Sequence, residues 1–239
     1  QEGNHVFCPN MLPSGYAHAE YIALSARHCL RVPDGMDWDT GVMVAGDAMG
    51  VAYHLTRRVG LHAHDTVAVF GCGPVGLGAV LLWSFLGARV IGVDMSAYRR
   101  ELAQKLGAWR TVAAGKHGTV DRLRKLTGGA GPDTCLECSG NPLAIEAAFD
   151  AVRKGGKVGI VGEQPLASFS PSGHLIHKEL SVFGAWYFRL SEFAAMVELC
   201  SRGLKPRRVI THRFPLEEAQ KGYDLMARQE CGKVLFVQY

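Results

Sequence analysis

The 239-residue sequence lacks any apolar run long enough to cross a membrane. The longest, Val75 to Leu86, is about twelve residues and contains glycines and a serine, whereas a spanning helix needs about twenty. We therefore expect no membrane association. Hydrophobic residues make up 48% of the chain and charged residues 20%. This balance is typical of a folded globular protein and excludes a disordered or low-complexity chain.

The sequence also lacks a concentrated basic surface, and from its first residues we expect no secretory leader. Its net charge of +4 is spread along the chain, and its densest basic run, Lys205 to Arg208, is typical of a solvated turn. We therefore expect no nucleic-acid partner. The seven cysteines are odd in number and scattered, which favours the reducing cytoplasm. The chain opens at Gln1 without methionine, so we expect it to start within a longer protein or at a processed end.

From Thr66 onward, short β-branched runs alternate with helical patterns, which predicts a doubly wound α/β domain with a parallel sheet. Strands are predicted at 66–71, 89–94, 132–137, 157–161 and 180–184, and helices at 75–86, 97–106 and 143–152. The flanks lack this alternation. The amino-terminal flank contains one predicted strand, at 20–24. The carboxyl-terminal flank contains a helix, a strand at 209–211, a helix from Pro215 and a strand at 234–237. The flanks therefore resemble pieces of another domain.

A glycine-rich turn, Gly71-Cys72-Gly73-Pro74-Val75-Gly76, follows the first of these strands and opens a helix. In this context the pattern predicts a dinucleotide site. Gly71 permits a tight turn, Gly73 lets the backbone approach a pyrophosphate, and Gly76 allows close packing of helix and strand. The helix start at Pro74 and Val75 presents N–H groups to the anion. A glycine turn in a nucleotide-free domain is the alternative.

Asp94 ends the next strand, where a carboxylate can accept hydrogen bonds from the adenosine ribose hydroxyls. This favours NAD over NADP, whose 2′-phosphate would meet a negative charge. Arg99 and Arg100 lie close enough in sequence to compensate that charge, and Asp94 could instead be a helix N-cap. A methyltransferase that uses S-adenosylmethionine shares these two features and stays open at this point.

The later chain carries several more specific motifs. They are Asp133 to Asn141, Ala144-Ile145, Arg153 to Gly162 and Gly232 to Leu235, with Gly15 to Tyr21 and Val32 to Gly35 upstream. In this order they resemble the medium-chain dehydrogenase/reductases, in the group of zinc-containing alcohol and polyol dehydrogenases. The resemblance covers nearly the whole chain and outweighs the methyltransferase interpretation.

The resemblance implies a Rossmann domain inserted in a GroES-like catalytic domain. Residues 1–47 would be a partial catalytic domain, 48–190 the NAD-binding domain and 191–239 the return to the catalytic domain. About a hundred amino-terminal residues of a full-length member would be missing. Ser139, Gly162 and Lys233 lie in the matching motifs and, with Arg99, are expected cofactor contacts. Family members pair their sheets through the strand at 180–184, so a homodimer or homotetramer is expected.

The resemblance also implies two zinc sites, and this chain contains one candidate ligand for each of them. Cys8 resembles the last of four cysteines that hold a structural zinc. Asp47 stands where family members have the third ligand of the catalytic zinc, usually Cys or Glu, and helix capping is the alternative role. Cys135 and Cys138, three apart along a strand, would point to opposite faces and pack in the core. His54 could approach the cleft, but a structural imidazole is the favoured interpretation.

These features predict a zinc-dependent dehydrogenase that transfers a hydride from a secondary alcohol or polyol to NAD. Zinc would lower the pKa of the alcohol, and hydride would pass to the nicotinamide. One alternative is a zinc-free quinone or enoyl reductase that prefers NADPH. Another is a nucleotide-binding module only. Because most zinc ligands would lie upstream, we expect this chain alone to hold no zinc and to oxidise no alcohol.

Overall fold

The computed structural model describes residues 18–23, 25–26 and 29–237. The strands are β1 (Thr66–Phe70), β2 (Arg89–Asp94), β3 (Arg110–Ala113), β4 (Thr134–Glu137), β5 (Lys157–Ile160), β6 (Ser181–Gly184), β7 (Ile210–Pro215) and β8 (Lys233–Val237). The α-helices are α1 (Trp38–Val44), α2 (Asp47–Val59), α3 (Pro74–Phe85), α4 (Ala97–Lys105), α5 (Thr119–Leu126), α6 (Pro142–Ala151), α7 (Phe193–Ser201) and α8 (Ala219–Ala227). No helix in this described part is long and apolar enough to span a bilayer.

Six parallel strands form the main sheet in the order β3-β2-β1-β4-β5-β6, and β7 and β8 form a separate parallel pair. The strand order reverses between β1 and β4, both of which lie at the centre of the sheet. In open α/β sheets, ligands bind at such a switch point, outside the carboxyl ends of the strands. The predicted doubly wound Rossmann sheet is therefore confirmed, and the division into three sequence domains stays a prediction.

Two predictions about strands were wrong. The sequence pattern missed β3 and the α5 helix after it, because β3 has only four residues, begins with exposed Arg110 and is followed by the polar stretch 115–118. The predicted strand at 20–24 is not formed: residues 20–23 form no strand, and Leu24 lies outside the described residues. A strand needs a neighbour for its backbone hydrogen bonds, and the described residues provide none there.

The sheet carries a hydrophobic core on each face. On one face α2 and α3 pack around Trp83, Leu77 and Met49. The other face is built around Phe70, Phe149 and Leu123. Cys135 packs in this second cluster, whereas Cys138 packs against the first. The prediction that these two thiols face opposite sides of the sheet is confirmed.

Two contacts set the direction of α2. The Lys157 amine, at the start of β5, donates to the carbonyls of Val59 and Gly60 at 2.6 and 3.2 Å. Two residues further along β5, a Cβ on Gly159 would lie 2.6 Å from the Leu55 side chain. Helix α2 therefore runs antiparallel to β5. Its first residue, Asp47, is placed beyond the carboxyl end of the sheet, where ligands of this fold bind.

Candidate active site

Two glycines of the glycine-rich turn are required by the protein's own packing. Gly71 has a φ of 87°, and a Cβ there would lie 2.8 Å from the Ser139 Cβ. A Cβ on Gly76 would lie 1.8 Å from the Gly71 carbonyl oxygen. No side chain fits at such distances. These positions therefore fix the tight turn between β1 and α3 and the close approach of the helix to it.

Gly73 is different, because nothing in the protein requires a glycine there. Its φ of −74° and ψ of −171° suit any residue. A Cβ at Gly73 would meet only the Arg99 guanidinium, at 4.0 Å. The first intrahelical hydrogen bond is donated by the Leu77 N–H, so the Val75 and Gly76 N–H groups are left for another acceptor. The open face, the N–H groups and the guanidinium together fit a pyrophosphate.

Asp94 is anchored beside this turn by its backbone. One carboxylate oxygen accepts from the Cys72 N–H and the other from the Ser96 N–H, both at 2.7 Å. Ser96, not Asp94, is the N-cap of α4, so the capping alternative for Asp94 is wrong. Each oxygen keeps a second lone pair that can accept a ribose hydroxyl. The negative charge is therefore fixed in place rather than free to swing away from a ligand.

Of the two candidate basic residues, Arg99 faces the turn and Arg100 is directed at the backbone. The Arg99 Nε lies 3.4 Å from the Cys231 carbonyl, which ties the side chain to the carboxyl-terminal segment. Arg100 donates to the carbonyls of Asp94 and Met95 at 2.9 and 2.7 Å. These bonds hold Arg100 to the protein, so it is poorly placed to neutralise a 2′-phosphate.

A cavity of about 670 Å³ joins these groups at the carboxyl edge of the sheet. Its size is that of a site for a cofactor-sized ligand. Six of the ten residues predicted to contact the cofactor line its walls: Gly71, Gly73, Pro74, Asp94, Arg99 and Ser139. Val75, Gly76, Gly162 and Lys233 are not among the walls. Lys116 lines the cavity as a second basic residue, and the sequence motifs gave no indication of it.

Glu137 supports the turn beside the cavity, and the sequence analysis assigned it no role. It is fully buried at the end of β4, and burial raises the pKa of its carboxyl. The carboxylate accepts from the Ser139 N–H at 2.6 Å, from the Gly140 N–H at 3.2 Å and from the Ser139 hydroxyl. A Cβ on Gly162 would lie 2.6 Å from it. Glu137 and Gly162 thus shape the turn that carries Ser139. The only feature of the sequence that pointed to Glu137 was its place as an acidic residue at the end of an apolar strand.

Asp47 is the first residue of α2, and the N-cap is Gly46. The capping alternative for Asp47 is therefore wrong. Burial raises the pKa of the Asp47 carboxyl, and the Lys233 ammonium opposes that shift. Lys233 thus lies within electrostatic range of Asp47 and away from the cavity walls. Its predicted contact with the cofactor stays a prediction.

The residues described by the structure do not build a metal site alone. They contain no group of three or more His, Cys, Asp or Glu side chains that could hold an ion, and a zinc site needs at least three protein ligands. Asp47 can supply one. Cys8, the predicted structural zinc ligand, lies outside the described residues. No step of the chemistry is therefore assigned to a metal held by these residues alone.

His54 is a structural imidazole, as favoured from the sequence. It is 5% exposed, and its Nδ1 lies 3.0 Å from both carboxylate oxygens of Glu192. Because a carboxylate only accepts, Nδ1 carries the shared proton. This contact joins α2 to a segment 138 residues away in sequence, which no local pattern could predict.

Comparison with known proteins agrees with this geometry. The family model described as zinc-binding dehydrogenase matches residues 74–202. An uncharacterized zinc-type alcohol dehydrogenase-like protein of Escherichia coli is 35% identical over 91% of this chain and 62% of its own. An L-threonine 3-dehydrogenase of Bacillus velezensis is 34% identical over 98% of this chain and 70% of its own.

Among solved structures, the alcohol dehydrogenase TADH from Thermus sp. ATN1 superimposes with a TM-score of 0.81 at 33% identity. The match covers 87% of this chain and 61% of that one. The chain thus spans 61 to 70% of the length of these three relatives. It belongs to the zinc-containing medium-chain dehydrogenase family, and its relatives are zinc-type alcohol dehydrogenases.

Proposed function

We propose that the whole protein, of which this chain forms the larger part, is a zinc-dependent dehydrogenase that transfers a hydride from a secondary alcohol or polyol to NAD. The observation that carries the proposal is the open face of Gly73. It lies opposite the Arg99 guanidinium and next to the fixed Asp94 carboxylate. Packing gives no reason for a glycine there, whereas a pyrophosphate does.

In this proposal the cavity orients the cofactor. The N–H groups at the start of α3 and the Arg99 guanidinium hold the pyrophosphate, and Asp94 accepts from the adenosine ribose. Bound NAD supplies the hydride acceptor. The Asp94 charge disfavours a 2′-phosphate. Arg100, bonded to the Asp94 and Met95 carbonyls, is held away from compensating it.

Asp47 is the part of the metal site that this chain contributes. It lies at the carboxyl end of the sheet, and its carboxylate can hold a zinc ion together with ligands from an amino-terminal lobe. Zinc, when bound, lowers the pKa of the alcohol hydroxyl. Burial raises the pKa of the Asp47 carboxyl, and the Lys233 ammonium offsets part of that rise, toward the ionised form that a metal binds.

We propose further that the protein is cytoplasmic and forms a homodimer or homotetramer. The β6 strand ends the sheet, and its residue Val182 is 42% exposed. An unpaired edge of this kind can add a strand from a second copy.

Asp47→Ala in the whole protein tests the metal role. Catalysis or zinc occupancy should fall at least about a hundredfold, because one of three protein ligands is lost. NADH affinity should stay unchanged, since the cofactor contacts lie at the start of α3, on β2 and on α4. Asp121→Ala, an acid in the first turn of α5, is the matched control and should alter neither. Unchanged turnover and zinc content in Asp47→Ala would remove Asp47 from the site.

A further inference from the structure

The turn between α8 and β8, residues 228–232 and here called the carboxyl-terminal turn, follows the main sheet in sequence and yet reaches the cofactor cavity. Gln229 lines the cavity together with Met95 and Arg99. Its φ of 59° is left-handed, a conformation that is unfavourable for a residue with a side chain. Such strain persists only where the surrounding structure enforces it, and it is frequent at functional sites.

Two hydrogen bonds hold the carboxyl-terminal turn on the start of α4. The Ser96 hydroxyl donates to the Gln229 carbonyl at 3.0 Å. The Arg99 Nε donates to the Cys231 carbonyl at 3.4 Å. The turn is therefore attached to the same two residues that cap α4 and face the glycine-rich turn.

Packing fixes the end of the carboxyl-terminal turn that leads into β8. Cys231 is fully buried. A Cβ on Gly232 would lie 2.5 Å from the Val209 carbonyl oxygen and 2.9 Å from the Leu102 side chain, so only glycine fits there. The Gly232 N–H donates to the Thr211 hydroxyl at 3.0 Å. The position of Gln229 is therefore set by its neighbours on both sides.

A single residue separates Gln229 from the Asp94 carboxylate. Ser96 donates its N–H to one Asp94 oxygen at 2.7 Å and its hydroxyl to Gln229. Within the part of the chain that the structure describes, the side-chain amide of Gln229 has no hydrogen-bond partner. This amide offers two N–H donors and one acceptor oxygen. It can therefore bond a hydroxyl beside Asp94, but it carries no charge to neutralise a phosphate.

Resting on the proposed function, we infer that Gln229 contacts the adenosine ribose of the cofactor beside Asp94, and that the carboxyl-terminal turn is the outer wall of this subsite. The neutral amide leaves the 2′ position of the ribose without a cation. The Arg99 guanidinium is held by Cys231 and faces Gly73, where it serves the pyrophosphate. Gln229 thus acts with Asp94 in favouring NADH over NADPH.

Gln229→Gly in the whole protein separates this contact from folding. Glycine adopts a left-handed φ without steric cost, so the melting temperature should stay unchanged or rise by a few degrees. The Kd for NADH should rise about three- to tenfold in nicotinamide fluorescence titrations, because one hydrogen bond is lost.

Glu179→Gly is the matched control. Glu179 also has a left-handed φ, of 53°, and it is exposed just before β6, at the amino end of the sheet. The substitution therefore makes the same change of backbone preference far from the cavity. It should affect the melting temperature in the same direction and leave the Kd for NADH unchanged.

Gln229→Arg tests the position of the side chain relative to the ribose. A guanidinium beside Asp94 would pair with a 2′-phosphate, so the Kd for NADPH should fall at least about tenfold. The Kd for NADH should change by less than about threefold, because a guanidinium can still donate to a ribose hydroxyl. If Gln229→Gly weakens NADH binding but Gln229→Arg gains no affinity for NADPH, the place of Gln229 at the 2′ position is overturned.

The outcomes separate this inference from the proposed function. If the unmodified protein binds NADH and both Gln229 variants leave the two Kd values unchanged, the contact is overturned and the dehydrogenase stands. A lower melting temperature of Gln229→Gly with an unchanged Kd would reduce the turn to a purely structural role. If the unmodified protein binds neither nucleotide, both proposals fail.

Discussion

Gly73→Val separates binding from folding more sharply than any other substitution in the cavity. The new side chain would occupy the open face, where only the Arg99 guanidinium lies within 4.0 Å. The Gly73 dihedral angles are allowed for valine. Stability should therefore fall by only about 1 kcal/mol, because valine is a poorer N-cap than glycine.

NADH affinity should fall much further. A branched side chain keeps the pyrophosphate from the N–H groups at the start of α3, and a hydrogen bond to a charged group is worth about 1.5 to 3 kcal/mol. The loss of two such bonds corresponds to at least about a hundredfold in Kd. Nicotinamide fluorescence titration measures the affinity, and urea denaturation measures the stability of the same sample.

Gly76→Ala is the matched control at the same turn. Its Cβ would lie 1.8 Å from the Gly71 carbonyl oxygen, so stability should fall by at least about 3 kcal/mol and binding should fail with it. If Gly73→Val bound NADH as tightly as the unmodified chain, the pyrophosphate would not lie at Gly73. If it unfolded like Gly76→Ala, Gly73 would serve the fold instead.

Two further predictions concern carboxylates. The chain should bind NADH at least about tenfold more tightly than NADPH. Asp94→Asn should narrow this difference in affinity, because the charge that repels the 2′-phosphate is removed. If fluorescence titrations showed the same preference for NADH in Asp94→Asn, the choice between the two cofactors would be assigned to Arg99 or Arg100. At Asp133, burial acts to raise the pKa, but the Arg153 guanidinium at 2.7 Å and the Thr66 N–H at 2.7 Å lower it overall. The resulting stabilisation is present above the unfolded pKa and is lost as pH falls through the lower folded value. Asp133→Asn should therefore lower the free energy of unfolding by about 1 kcal/mol at pH 7, and by progressively less as the pH falls. Urea denaturation measures this difference between variant and unmodified chain, and a difference that stayed constant down to pH 2 would contradict the prediction.

The sequence was most informative where a residue's role depends on local geometry. The positions of Gly71 and Gly76 followed from the strand-turn-helix context, and the structure shows the close contacts that require them. Five of the six strands in the main sheet were predicted because their apolar runs are bounded by turns. The four-residue β3 was missed because its pairing with β2 comes from tertiary structure and not from its own pattern.

Roles that depend on distant residues could not be predicted. Asp94 was expected to face the ribose, but its bonds to the Cys72 and Ser96 N–H groups depend on how the turn folds around it. Glu137 acquires its role only when Gly162, from the loop after β5, packs against it. The contact between His54 and Glu192 joins residues 138 positions apart, a separation at which periodicity carries no information.

The most direct test of the account is the reduction of NAD by 2-propanol with the whole protein, measured as isolated, after removal of metal by a chelator, and after zinc is returned. We predict NADH formation that disappears with the zinc and returns with it, together with a zinc content that Asp47→Ala lowers. NADH formation that survives complete removal of zinc would contradict the account and favour a zinc-free reductase. No NADH formation from this or any other alcohol would leave only a nucleotide-binding module.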